Sequence, residues 1–223
     1  MPQKLGHDVD LETLPLVAFT EKVVTRMRKV GSSLKRWVSL QAYLFPIVTT
    51  LLVALGWQLY LHPRFILRKK NWSEAVALIA RYALWTRFIT GHFGLAQSAA
   101  LYLAYNWIAA NYIFINFAVS HTHLPVVPKE DTQVDWIRYA AVHTMNVSPG
   151  PLNFVNWWMS YLNFQIEHHL FPSMPQFRHP VISPRVRALF EKHGLVYDQR
   201  DYFKSMRDTF KNLDNVGHEV FYG

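Results

Sequence analysis

No cysteine occurs among the 223 residues. That absence excludes a disulfide scaffold, a thiolate zinc site, an iron–sulfur cluster and a cysteine nucleophile. Also missing are a Gly-rich phosphate loop, a nucleophile elbow, a His-Glu-x-x-His zinc motif and a glycosidase-type carboxylate pair. There is no internal repeat, no low-complexity tract and no signal-peptide pattern at the start. Acidic residues are scarce, 15 against 23 Lys+Arg, for a net charge of +8. Most of that excess lies in residues 21 to 36, where Lys22, Arg26, Arg28, Lys29, Lys35 and Arg36 accompany the single acid Glu21. Beside a bilayer such a cluster serves orientation and anionic headgroups, so no nucleic-acid partner is expected.

What is present is apolar. Hydrophobic residues make up 51% and aromatics 15%, which excludes a disordered chain. The mean hydropathy of +0.01 is high for a charged soluble domain and low for a chain wholly in lipid, as expected of two unlike parts joined together. Trp37 to Leu61 carries no formal charge. As a helix it is about 37 Å long, enough to cross a hydrocarbon core of roughly 30 Å with tilt. Pro46 is expected to kink it or mark its start. Trp37, Trp57 and Tyr60 sit where interfacial aromatics belong. A basic turn is expected over residues 62 to 70. Trp72 to Thr90 has a helical pattern, but Arg81 and Arg87 suit an interfacial helix with snorkelling arginines better than a span. After Gly91 and Gly94, Phe93 to Ser120 is again uncharged and forms the second expected span.

Beyond Ser120 the chain turns polar and histidine-rich. Pro149 to Phe164 reads as a half-buried helix against the membrane. Ser183-Pro184 reads as a helix start that Gly194 ends, and Phe203, Met206, Phe210 and Leu213 form the stripe of a second amphipathic helix. The expected architecture is all-α: two spans plus interfacial helices, with a cytosolic histidine-bearing helical cap. Its segments are a loop and basic juxtamembrane stretch at 1–36, a membrane region at 37–120 and the cap with C-terminal helices at 121–223. Two crossings place both termini in the cytosol.

The sharpest local feature is Gln165-Ile166-Glu167-His168-His169. On a helix, Gln165, His168 and His169 share a face while Glu167 points elsewhere. Neutral imidazoles projecting together suit iron or zinc; the alternative is a buried, hydrogen-bonded histidine pair. In His121-Thr122-His123, alternation in an extended segment puts both rings on one side. His123 is the preferred ligand there, and His121 reads equally as a polar interfacial residue. His143 is a weaker candidate. His7, His62, His92, His179, His193 and His218 lack ligand spacing and read as surface or structural.

These residues carry a resemblance. The run Phe164 to Pro172, followed by Met174-Pro175, with Asn163 ahead of it and Ser120-His121-Thr122-His123 after a span, resembles the membrane fatty acyl desaturases. Gln165 at the head of the histidine box resembles the front-end group, which places double bonds between an existing one and the carboxyl end. The resemblance implies an endoplasmic-reticulum membrane enzyme. Two non-haem irons would activate dioxygen to remove hydrogens from adjacent methylenes of an acyl-CoA or acyl-lipid, with electrons from cytochrome b5 and its reductase. It implies His123, His168 and His169 as iron ligands, Gln165 standing where a further one would be, and no catalytic residue beyond the ligands. Two earlier histidine boxes of that family are not in this sequence, so the resemblance is to a C-terminal portion, expected to be inactive alone. The alternatives are a non-catalytic truncated membrane protein that pairs with a full-length desaturase or binds lipid, and a sphingolipid long-chain base desaturase.

Overall fold

The computed structural model describes residues 17, 32–120, 122–125 and 135–222. Most of the expected loop and basic stretch at 1–36, and His121, lie outside the described residues. The chain divides into two compact units, Leu44–Phe114 and the combination of Met1–Tyr43 with Ile115–Gly223. It is mostly helical; the all-α expectation misses one short parallel ladder.

In the unit formed by Leu44–Phe114, the main element is α2 (Gln41–Lys69), preceded in the chain by α1 (Ser32–Ser39) and a turn at Leu40. Among the described residues α2 is the one helix long and apolar enough to cross a membrane, by length and composition. Its limits differ from the expected Trp37–Leu61. It starts after Leu40, and the basic stretch continues it as helix until Lys70 turns left-handed at φ 53°. Pro46 lies within it, and the Thr50 hydroxyl donates to the Pro46 carbonyl at 2.6 Å. Over Leu52–Leu61 the backbone widens, and the His62 N–H reaches the Trp57 carbonyl five residues back. A widened turn gives the ring of Pro63 room against the preceding carbonyl, which explains why the expected turn is helical instead.

The next helix, α3 (Trp72–Trp85), is capped by Asn71, whose side chain accepts from the Glu74 N–H. Its Arg81 guanidinium donates to Gln58 Oε1 at 2.9 Å and to the Tyr105 hydroxyl at 3.1 Å. Gln58 in turn donates to Asn106 Oδ1 at 2.9 Å. These bonds satisfy the buried amides of Gln58 and Asn106, which would be costly without partners. The following helix, α4 (Leu95–Ala118), has 24 uncharged residues, but Gln97, Asn106, Asn111 and Asn116 lower its apolarity below that of α2.

In the other unit, α1 packs on α9 (Tyr202–Tyr222). Between them along the chain lie α5 (Trp136–His143), β1 (Asn146–Val147), α6 (Phe154–Trp158), α7 (Gln165–Leu170), α8 (His179–Lys192) and β2 (Gln199–Arg200). β1 and β2 pair in parallel, Asn146 with Gln199 and Val147 with Arg200. Two buried apolar clusters lie in this unit, and α7 contributes Ile166 to the second. One joins Val119, Met145, Val147, Val155 and Met159; the other joins Ala141, Ile166, Val186 and Phe190.

Three local expectations are corrected here. Pro149 to Phe164 is not one helix. Gly150, Leu152, Asn153, Ser160 and Tyr161 all take positive φ, so only α6 and a short turn at Pro151–Asn153 are helical. Helix α8 begins at His179, with Pro180 in its first turn, so Ser183 and Pro184 lie inside it; Ser183 bonds the Tyr197 hydroxyl instead of capping. On α9 the inner face is Ser205, Thr209, Leu213 and Val216, while Phe203 is exposed. The expected stop at Gly194 stands, with φ +66° and the Leu195 N–H closing onto the Phe190 carbonyl at 2.9 Å.

Gly217 marks the crossing of α1 and α9. A Cβ there would lie 2.7 Å from the Val38 carbonyl oxygen and 3.2 Å from Ser39 Cα. Helix propensity alone favours Gly→Ala by about 1 kcal/mol. Because the obstructing atoms are backbone, Gly217→Ala is predicted to destabilise the chain by about 1–3 kcal/mol, read as a lower thermal midpoint in detergent. A raised midpoint would contradict this crossing.

Candidate functional site

Helix α7 is six residues long, too short to hold itself in water, so its position depends on its surroundings. Asn163, just ahead of it, donates to the Val147 carbonyl at 3.0 Å and to Asn156 Oδ1 at 2.9 Å, and its own carbonyl receives the Val147 N–H. That clamps the helix entry to β1. From β1, Asn146 supplies the cap: its Oδ1 accepts the Ile166 N–H at 2.9 Å. Its Nδ2 donates to Glu167 Oε2 at 2.8 Å and to the Tyr197 hydroxyl oxygen at 2.7 Å. The Tyr197 hydroxyl donates to Glu167 Oε1 at 2.7 Å and lies 2.7 Å from Ser183 Oγ. Burial, and then the Glu167 carboxyl group, push the Tyr197 phenol far above its ordinary range, so it remains a donor.

Glu167 therefore leaves the histidine face as the helical spacing expects, and it is fully buried. Gln165 is buried beside it, and His168 and His169 are half-buried. The rings of His168 and His169 are 5.7 Å apart, centroid to centroid, and nearly perpendicular. Nδ1 of His168 is buried without a hydrogen-bond partner. Burial lowers the pKa of His168, and burial with the adjacent His168 lowers that of His169 to about 4. Both rings are neutral at pH 7, the form that donates a lone pair to a metal ion.

His179, read from sequence as surface or structural, is fully buried, its ring centroid 6.0 Å from that of His168. It had no spacing signal, since ten residues and a turn separate it from His169. Asn146 and Tyr197 were also missed, being remote in sequence from the box they hold.

His123 sits in a different setting. Thr209 donates its hydroxyl proton to the Ser205 carbonyl, so its oxygen accepts from His123 Nδ1 at 3.2 Å. His123 Nε2 then faces Arg200 Nη1 at 3.3 Å. Arg200 is itself held by Asp198 at 2.6 Å and Asp208 at 3.5 Å. Burial and then Arg200 lower the His123 pKa, so it too is a neutral imidazole, but its free lone pair meets a guanidinium. His143 stacks on Tyr139 with 4.5 Å between centroids, and its Nδ1 contacts the Pro125 carbonyl. Among the described residues, no three His, Cys, Asp or Glu side chains are gathered into a ready metal cage. What the structure does bring together is a set of neutral imidazoles, His168 and His169 half-buried and His179 fully buried, a donor set chemically fit for iron though short of enclosing it.

The fatty acid desaturase family profile matches residues 3–201. The chain belongs to the fatty acid desaturase family. It is 58% identical over 217 residues to an acyl-lipid (8-3)-desaturase of Rebecca salina, covering 97% of this chain and 50% of that protein. An acyl-lipid (8-3)-desaturase of Thraustochytrium sp is 53% identical, over 98% of this chain and 49% of that protein. Fatty acid desaturase 3 of Homo sapiens is 25% identical, over 97% and 47%. This desaturase-family chain thus spans about half the length of the curated relatives it matches. No solved structure matches it.

Removing the clamp should loosen the box. Asn146→Leu leaves the Ile166 N–H and the buried Glu167 short of partners and is predicted to cost about 2–4 kcal/mol, against about 1–2 for Tyr197→Phe, both measured by chemical unfolding. Equal stability of Asn146→Leu and wild type would contradict the clamp.

The acid response follows from the same burial. A histidine with a depressed folded pKa leaves stability intact above its unfolded value near 6.5 and removes it as pH falls toward the folded value. For His169 that window runs from about 6.5 to about 4 and is worth on the order of 3 kcal/mol. The metal-free chain should therefore destabilise across that range, and His169→Gln should flatten the slope of thermal midpoint against pH. An unchanged slope would contradict the burial of this imidazole.

Proposed function

We propose that this chain carries the third histidine box and the adjoining membrane helices of a front-end desaturase that places a cis double bond in a polyunsaturated acyl chain. The observation that carries the reading is α7, where His168 and His169 are fixed side by side as neutral imidazoles by a buried polar network. The 58% and 53% identical acyl-lipid (8-3)-desaturases favour an acyl-lipid substrate over acyl-CoA, and the regiochemistry stated in their names.

His168 and His169 would hold iron, with Gln165 and His123 as further donors from this chain. Iron bound there supplies dioxygen activation for hydrogen removal from adjacent methylenes. The protein's part is positional. Asn146, Glu167 and Tyr197 hold α7 so that both imidazoles keep their direction, and burial keeps them deprotonated at neutral pH. For His123 to serve, Arg200 must turn away toward Asp198 and Asp208, which already hold it. Helices α2 and α4 cross the endoplasmic-reticulum membrane, leaving both chain ends cytosolic, where cytochrome b5 and its reductase deliver electrons. Three or four imidazoles do not saturate two irons, so the chain by itself is inactive and the remaining ligands come from histidine boxes outside it.

The test is a chimera. Fused behind the complementary half of the Rebecca salina relative and expressed in yeast fed defined polyunsaturated acids, the chain is predicted to give a new double bond in acyl lipid. His168→Ala and His169→Ala should each reduce product to background, with membrane insertion retained. Product from either variant at the parent's level would overturn the assignment.

A further inference from the structure

His179 is a buried imidazole that neither the fold nor the proposed ligand set uses. It opens α8 at its first turn. It is fully buried, and its one polar approach is to the Phe171 backbone, at less than full hydrogen-bond geometry. An imidazole so weakly satisfied in a buried place gains from a further partner. The Nδ1 of His168 is buried and unpartnered in the same place.

The placement is rigid. Val186 and Phe190 of α8 pack with Ile166 of α7 in one buried cluster, so the two helices hold their histidines in fixed register. The ring centroids stand 6.0 Å apart for His168 and His179 and 5.7 Å apart for His168 and His169. Two imidazoles on one ion, with metal–nitrogen bonds of about 2.1 Å, have centroids roughly 4.5–5.5 Å apart. Side-chain rotations that close less than about 1.5 Å would bring such rings onto a common ion. Helix α7 alone offers two imidazoles and the amide of Gln165, whose carbonyl oxygen is the weaker donor for a borderline metal.

We propose that His179 is a third imidazole of the metal centre at α7, binding the same ion as His168. This rests on the reading of His168 and His169 as metal ligands.

Cobalt(II) titration of the full chain in detergent tests it, followed by ligand-field absorption and by cobalt-edge X-ray absorption, which counts imidazole scatterers. Two variants are used: His179→Ala, and His179→Phe, which refills the buried volume without a donor nitrogen. Both should weaken cobalt affinity at least tenfold and remove one imidazole from the scattering shell. His179→Phe should also keep the metal-free thermal midpoint within a few degrees of wild type. Cobalt affinity and imidazole count unchanged in His179→Phe, while His168→Ala loses binding, would overturn the role of His179 alone. Binding unaffected by His168→Ala and His169→Ala, or no cobalt uptake by wild type, would overturn the metal reading beneath it as well.

Discussion

The buried bonds among Asn146, Glu167 and Tyr197 are the constraint on which the histidine-bearing unit depends. A six-residue helix has no stability of its own, and a buried carboxyl group is costly without partners. Each problem answers the other. Glu167 accepts from Asn146 and Tyr197, and the same Asn146 caps the helix through the Ile166 N–H. The parallel pairing of Asn146 with Gln199 brings the segment carrying Tyr197 alongside. Removing any one member leaves a polar group in the core unpaired, so the arrangement is cooperative in the sense of an interdependent network.

The consequence for chemistry is directional. With Glu167 drawn into the interior, His168 and His169 take the other side of the short helix, and burial keeps them unprotonated. Helix α8, anchored by Val186 and Phe190 against Ile166, adds His179 to that group. His123 is held apart by its own set of partners, Thr209 and Arg200, with Asp198 and Asp208 behind the arginine. One chain thus presents neutral imidazoles in two settings, one on and beside α7 and one with its lone pair facing Arg200.

Much of this was legible in the sequence where local rules decide. The Gln165 to His169 pattern reads as a helix with Glu167 off the histidine face, and Gly194 reads as a helix stop. Residues 149 to 164 were misread because five positive-φ residues leave no periodic signature, and Leu152 or Tyr161 in that conformation contradicts its own propensity. The limits of α2 were misread because a widened backbone absorbs Pro63. His179, Asn146 and Tyr197 lay beyond reach because their partners are distant in sequence, and only tertiary pairing reveals them. The family was legible because its signature is contiguous.

Imidazoles of α7 are proposed to hold the metal of a desaturase. Iron-edge X-ray absorption of a purified full-length desaturase carrying this chain, compared with its His168→Ala variant, tests this most directly. A nitrogen shell with imidazole multiple scattering is expected in the parent, and fewer imidazoles per iron in the variant. Identical spectra from the two proteins would contradict the assignment.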